Sequence, residues 1–216
     1  MSNKKQNTPF YAGGDYNYNA VLSWGLPTWY NLIEGFYQAA HHIATNMLSR
    51  GNDTIPIDSG VFPMIFLYRH YIELSLKAQL WKMYDARRLY GQKWSTKKLD
   101  EVLQNHSLSP LCKKFESALF SIWEETLSEK ICQRYKKETQ QSLKLLNKVC
   151  IDLDELDKGS LGCRYPINDE WKSYYTGNDR VNIVLFADAM QKVRKFLTGA
   201  DDELEAALEA MRSQQT

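Results

Sequence analysis

Residues 61–81 read VFPMIFLYRHYIELSLKAQLW, a mostly apolar run in which charged residues are few. On a helix this run presents apolar side chains on nearly every side, which is typical of a helix buried at the centre of a bundle. We predict that this helix begins near Pro63 and continues to about Leu89. The preceding segment, Asp53 to Gly60, contains Pro56 and is predicted to be a loop.

The flanking sequence carries helical periodicity on both sides of this central helix. A long helix is expected after Pro27, a residue that the first turn of a helix tolerates, and it should end at Gly51-Asn52-Asp53. Its apolar stripe consists of residues at three- and four-residue steps: Trp29, Leu32, Ile33, Phe36, Ala40, Ile43 and Met47. Further helices are predicted over Lys97–Gln104, from Ser109-Pro110 onward, over Ser128 to about Leu156, over Val181–Leu197 and over the polar segment Asp201–Arg212.

Strand signals are nearly absent, so the fold class is predicted to be all-α. We expect a bundle of four to five core helices with short extra helices and one long structured loop, Asp157 to Asn182. Long loops that keep apolar and aromatic residues are more often functional than short ones. The predicted organisation is an irregular N-terminal arm over 1–24, the bundle over 25–199 and a polar tail helix over 200–216.

Composition excludes several classes of protein. The net charge is +1, whereas proteins that bind nucleic acid through bulk charge are usually more basic. The N-terminal residues MSNKKQNTPF show no apolar core of a signal peptide, and no apolar run reaches the length of a membrane span. The four cysteines, which lack zinc-finger and CxxC spacing, are expected to be free thiols. We therefore expect a cytoplasmic protein without membrane contact, metal or cofactor.

Charged residues inside the central helix form the first candidate site. Arg69, Glu73 and Lys77 are four residues apart, so they lie on one face of the helix. Charges among so many apolar neighbours are unfavourable unless they are paired. Either Arg69 and Glu73 form a buried ion pair that fixes the position of the helix, or they lie at the mouth of a cleft and hold a ligand.

Two other segments supply further candidate residues. His106 lies at a predicted helix junction, where a histidine is often accessible, although a lone histidine more often has a structural role. Arg164, Tyr165 and Asp169 lie on the long loop, and arginine is well suited to binding phosphate because its planar fork contacts two oxygens. The alternative for Arg164 is an ion pair with Glu73 that fastens the loop to the bundle.

The segment Phe66-Leu67-Tyr68-Arg69-His70-Tyr71-Ile72-Glu73-Leu74-Ser75-Leu76-Lys77 resembles the central helix of the HEPN superfamily, in a bacterial branch with a YRHxIELxLK helix. His106-Ser107-Leu108 and the loop sequence Arg164-Tyr165-Pro166-Ile167-Asn168-Asp169 resemble two further motifs of that branch, and the similarity spans roughly residues 27–198. It implies a dimeric helical bundle that works in phage defence, toxin–antitoxin systems or RNA processing, often as a metal-independent ribonuclease. The usual catalytic motif of the superfamily is Arg, four to six residues, then His, and no arginine of this chain has that spacing.

The leading hypothesis is therefore an HEPN-like protein of a bacterial phage-defence or toxin–antitoxin system that binds or cleaves RNA without a metal. Its catalytic residues would be Arg69, His70, Glu73 and His106, since histidine serves as acid and base near neutral pH and arginine stabilises phosphorane charge. The substrate-binding residues would be Lys77, Arg164, Tyr165 and Asp169. The alternatives are a non-catalytic interaction subunit and a nucleotide-sensing module. The expected partners are a second copy of the chain, an RNA or nucleotide ligand, and a protein encoded next door.

Overall fold

The computed structural model describes residues 20, 29–50, 54–89, 96–157, 160–175 and 180–213. Six helices occupy these ranges: α1 Trp29–Ser49, α2 Thr54–Leu89, α3 Thr96–Gln104, α4 Leu108–Thr126, α5 Glu129–Leu156 and α6 Ile183–Ser213. The described residues contain no strand, and the single β-bridge joins Ile167 and Ser173 within the long loop. The prediction of an all-α bundle is confirmed.

Helix α2 begins earlier than the sequence predicts. The segment from Thr54 to Gly60 is helical, so the predicted loop over Asp53–Gly60 is wrong for these residues. Pro56 lies in the first turn, where the backbone N–H has no helical acceptor, and a proline therefore loses nothing there. Gly60 allows α1 and α2 to approach closely, because a Cβ at this position would lie 2.7 Å from Met47 Sδ. Packing against α1 thus outweighs the helix-breaking tendency of the glycine.

The centre of the bundle is α2, as the sequence predicts. This helix packs against α1, α4 and α6. Fully buried side chains follow one another along it, and α4 supplies the facing layer. They include Met64, Tyr68, Ile72, Leu76 and Leu80 of α2 and Leu111, Phe115 and Leu119 of α4. Burial of side chains this large supplies most of the favourable free energy of folding.

The last two predicted helices are one continuous helix, α6. The sequence predicts separate helices over Val181–Leu197 and Asp201–Arg212, and the gap between them contains Gly199, a residue type that commonly ends helices. The apolar face nevertheless continues through that glycine, since Leu197, Ala200, Leu204 and Leu208 are all buried. Burial of this shared face stabilises the helix across Gly199.

The arm predicted over residues 1–24 lies outside the described residues, apart from Ala20. None of the helices in the described ranges combines the length and the apolarity that crossing a bilayer requires.

Candidate functional site

The charged face of α2 forms a buried network. Arg69 is completely buried, and Glu73 and Lys77 are almost so. Arg69 Nη1 lies 3.2 Å from Glu73 Oε2, and Lys77 Nζ lies 2.7 Å from Glu73 Oε1. Arg69 Nη2 donates to the carbonyl of His106 at 2.6 Å, and Lys77 donates to the carbonyl of Leu103 at 2.7 Å. The charged face of α2 therefore holds the turn between α3 and α4.

Helix α5 and the residue that caps its C-terminus, Asp157, contribute two carboxylates to the same network. Asp154 Oδ1 lies 3.4 Å from Arg69 Nη2, and Asp157 Oδ2 lies 3.6 Å from Arg69 Nε. Asp154 also caps α4 from outside that helix, because its oxygens accept from the backbone N–H groups of Leu108 and Ser109 at 2.9 and 2.8 Å. Carboxylates are favourable at a helix N-terminus, where unpaired N–H groups carry positive partial charge. We call Arg69, Glu73, Lys77, Asp154 and Asp157 the buried charge network.

His106 is the exposed neighbour of this network. Its side chain is 65% exposed, while its Nδ1 lies 2.9 Å from the buried Glu73 Oε1. A carboxylate that accepts from Nδ1 fixes the imidazole tautomer and leaves Nε2 as the basic nitrogen. The pair has the geometry of an oriented acid–base residue supported by a carboxylate.

The electrostatics of Glu73 follow from its surroundings. Burial alone would raise its pKa, but hydrogen bonds and charge from Lys77 and His106 outweigh burial and lower the pKa. Glu73 is therefore ionised at neutral pH. The network as a whole contains three carboxylates and two cations, Arg69 and Lys77.

The network has one imperfect contact. Arg69 Nε and Asp157 Oδ2 face one another at 3.6 Å, and neither atom has a hydrogen-bond partner. The other oxygen of Asp157 accepts from the backbone N–H of Cys163 at 3.1 Å. Asp157 thus joins Arg69 to the first turn of the long loop.

Of the predicted site residues, Arg69, Glu73, Lys77 and His106 lie together in the structure. His70 is not bonded to this group. The imidazole of His70 packs between Phe36, at 4.4 Å between ring centroids, and Phe66, at 6.0 Å. Burial lowers the pKa of His70, although the Glu73 charge acts in the opposite direction. This packing between aromatic rings is typical of a structural histidine.

The loop residues are not part of the network either. The alternative in which Arg164 pairs with Glu73 is wrong, because the Glu73 carboxylate is bonded to Arg69, Lys77 and His106. Arg164 instead donates from Nε to the carbonyl of Ser160 and lies 5.6 Å above the Phe66 ring. Tyr165 and Asp169 are exposed.

Sequence reasoning missed Asp154 and Asp157, and one signal was available for Asp157. The buried stripe of α5 runs Leu143, Leu146, Val149, Cys150 and Leu153, and Asp157 occupies the next position of that stripe. A carboxylate on an apolar stripe needs a buried partner. The sequence gives no corresponding signal for Asp154.

A short hairpin within the long loop presents an exposed tryptophan. Ile167 and Ser173 pair, Asn168 N donates to Lys172 O at 2.9 Å, and Trp171 N donates to Asn168 O at 3.0 Å. The Asn168 side-chain oxygen accepts from the N–H groups of Glu170 and Lys172. These bonds hold Trp171 at φ 60° with its side chain 82% exposed.

That backbone conformation is unfavourable for a bulky residue, and the loop fixes it through several contacts. Behind the hairpin, Tyr175 packs on Phe62 of α2 at 5.5 Å between ring centroids. Gly162 lies where a Cβ would be 3.0 Å from the Tyr175 hydroxyl. The loop is therefore attached to α2 through Tyr175 and to the buried charge network through Asp157.

Within the described residues, no group of histidine, cysteine, aspartate and glutamate side chains is arranged to hold a metal ion. Comparison with known proteins finds no family model, no curated protein and no solved structure that matches this chain.

Proposed function

We propose that this chain is a non-catalytic interaction subunit whose long loop binds a partner protein, in the bacterial defence or toxin–antitoxin setting that the HEPN resemblance implies. The observation that carries the proposal is Trp171, fully presented at the tip of a hairpin in a left-handed conformation. Strained residues of this kind cluster at functional sites. Tryptophan, tyrosine and arginine are the residues that most often dominate binding energy at protein interfaces.

The surroundings of Trp171 favour a protein over RNA. Tyr165 is 55% exposed and Ile167 is 37% exposed, so the loop offers a small apolar surface. Its charged residues are of both signs, with Lys172 and Glu170 bonded to each other at 2.7 Å and Asp169 beside them. Affinity for RNA depends on an excess of positive charge facing phosphates. An apolar centre with a mixed polar rim is typical of protein interfaces.

The test measures binding of this chain to the proteins that neighbouring genes encode. Each of these proteins is purified and titrated with this chain by isothermal calorimetry. Trp171→Ala should weaken binding about 30-fold, which corresponds to the roughly 2 kcal/mol of an interface hot spot. Leu32→Ala is the matched control, because Leu32 is another large apolar residue, 54% exposed and located on α1, away from the loop. A neighbour protein that binds equally well to the wild type and the Trp171 variant would refute the role of the hairpin.

A specific observation favours a second function, metal-independent RNA cleavage. His106 is exposed and is oriented by the buried Glu73 carboxylate at 2.9 Å, an arrangement suited to activating a 2′-OH. Arg69, expected to stabilise the phosphorane, is completely buried and bonded to acids and a carbonyl. The cation would therefore have to come from another residue or from a second copy of the chain.

Incubation with single-stranded RNA in EDTA distinguishes the two functions. Cleavage that persists in EDTA and disappears in His106→Ala would establish the ribonuclease. His106→Ala is a better variant than Arg69→Ala, since a loss of activity in the latter could reflect unfolding. Absence of cleavage, alone or with the neighbouring proteins, leaves the interaction subunit as the better account.

A further inference from the structure

A cavity of about 350 Å³ opens between α1, α2 and α6, on residues that belong to neither the buried charge network nor the long loop. Its size lies within the range of small-molecule sites. Aromatic side chains from two helices line it: Trp29 and Tyr30 from α1 and Tyr71 and Trp81 from α2. Tyr30 is 72% exposed and Trp81 is 39% exposed, so both offer ring surface to a ligand.

Around this cavity, carboxylates outnumber positively charged side chains. Arg194 Nη2 lies 2.9 and 3.0 Å from the two oxygens of Glu34. Lys82 Nζ lies 2.8 Å from Asp201 and 2.6 Å from Glu205. Both cations are therefore already matched by carboxylates. Asp202 also lines the cavity and is exposed, so the site carries net negative charge.

Gln79 adds a buried, unsatisfied acceptor. Only 4% of this residue is exposed, and it lines the cavity. Its Nε2 donates to the carbonyl of Leu197 at 2.9 Å, which fixes the orientation of the amide, and its Oε1 has no hydrogen-bond partner. A buried oxygen without a donor is unfavourable, and such atoms often mark the place of a missing donor.

We propose that this cavity binds a small organic cation that carries N–H donors, such as an alkylammonium or guanidinium group. Ring faces attract cations through their negative quadrupole, and aromatic cages are the usual protein site for such ligands. Asp202 supplies the opposing charge, and Gln79 Oε1 accepts from a ligand N–H. The excess of carboxylates disfavours phosphates, so nucleotides are not expected to bind at this site.

The chemistry fits two sources, a free polyamine or an arginine side chain of another polypeptide. Calorimetric titration at low ionic strength with spermidine, and separately with a capped arginine tripeptide, should give saturable binding to at least one of them. Binding of spermidine alone assigns a free polyamine, and binding of the tripeptide alone assigns a side chain. Failure of both, or saturable binding of AMP, would overturn the proposal.

Variants test whether binding occurs at this cavity. Asp202→Asn and Trp81→Ala, at exposed positions that should leave folding intact, should each weaken binding about fivefold or more. Gln79→Leu should weaken it about tenfold, with its melting temperature measured alongside. Glu209→Gln is the matched control, since it removes the same charge from the same helix at an exposed position that does not line the cavity. Equal weakening by Asp202→Asn and Glu209→Gln would show general attraction to an acidic surface and would refute the site.

Discussion

Replacing Glu73 with glutamine removes one charge from the buried charge network with almost no change of shape. Lys77 then keeps the Leu103 carbonyl but loses the carboxylate at 2.7 Å, and Arg69 keeps Asp154 and Asp157 at 3.4 and 3.6 Å. Breaking a buried ion pair typically costs about 3–5 kcal/mol. Because Arg69 retains two acids, we expect about 3 kcal/mol, which lowers the melting temperature by roughly 6–12 °C for a chain of this size.

The assay is urea and thermal unfolding followed by far-UV circular dichroism. Asp188→Asn is the matched control, because Lys192 and Asp188 are also four residues apart and also 2.7 Å apart, but their side chains are 63% and 55% exposed. Exposed pairs contribute little, so this variant should stay within about 0.5 kcal/mol of the wild type. If Glu73→Gln destabilises no more than Asp188→Asn, the network does not stabilise the fold and a functional role becomes the better account of it.

The difference in stability between wild type and Glu73→Gln should depend on pH. The folded-state pKa of Glu73 is lowered, because the bonds from Lys77 and His106 outweigh the effect of burial. The stabilisation by Glu73 is therefore complete above its ordinary pKa of 4.5 and is lost as the pH falls through the lower folded-state value. The difference between wild type and Glu73→Gln should shrink in acid, and a difference that grows in acid would contradict this assignment.

Three other measurements test the fold and assembly. Gly199→Ala should raise stability by about 0.5–1 kcal/mol, because nothing lies within 4 Å of the added Cβ and Gly199 is inside α6; destabilisation would instead indicate a helix end there. Asp154→Ala should destabilise by at least about 1–2 kcal/mol through loss of the α4 cap at Leu108 and Ser109, measured by urea unfolding against wild type. Light scattering at micromolar concentration should give about twice the monomer mass, and a monomer at high concentration would exclude the homodimer.

The homodimer stays a prediction, and one exposed apolar surface is the place where its interface can be tested. Val184 and Leu185 of α6 are 59% and 67% exposed, and Ile151 of α5 is 45% exposed. Leu185 lines an apolar groove that α2, α5 and α6 form around Ile65 and Leu156. An exposed apolar side chain at the rim of an apolar groove is a reasonable place to test for an interface. Leu185→Glu should therefore convert a dimer to a monomer, and a dimer that persists would place the interface elsewhere.

The sequence predicts the helices well where burial and local propensity agree, as in α4 and α5. It fails at Gly60 and Gly199, where local propensity favours a break and packing of a shared apolar face decides the outcome. The sequence around neither glycine indicates the packing that keeps the helix intact there. Only the tertiary contacts show that Met47 lies against Gly60 and that the buried face of α6 continues through Gly199.

The candidate site is predictable to the extent that its members share one helix. Arg69, Glu73 and Lys77 follow from spacing, whereas Asp154 lies 85 residues from Arg69 along the chain. Charges in an apolar helix have the same sequence signature whether they line an active site or form a buried ion network. The two acids that pair with Arg69 decide between these two interpretations, and they lie at the end of α5 and on the residue that caps it. This is why the sequence leaves both alternatives open for Arg69, which the structure places completely buried in an ion pair with Glu73.

The buried charge network also connects the core to the proposed binding loop. Arg69 faces Asp157, and Asp157 accepts from the backbone of Cys163 at the start of the loop. From there the chain runs through Arg164, packed over Phe66 of α2, to the hairpin that carries Trp171. A substitution of Asp157 would therefore change the presentation of Trp171 without altering the binding surface itself. If the loop binds a partner as proposed, the charges in the central helix would affect that binding through the position they give the loop, without contact with the partner.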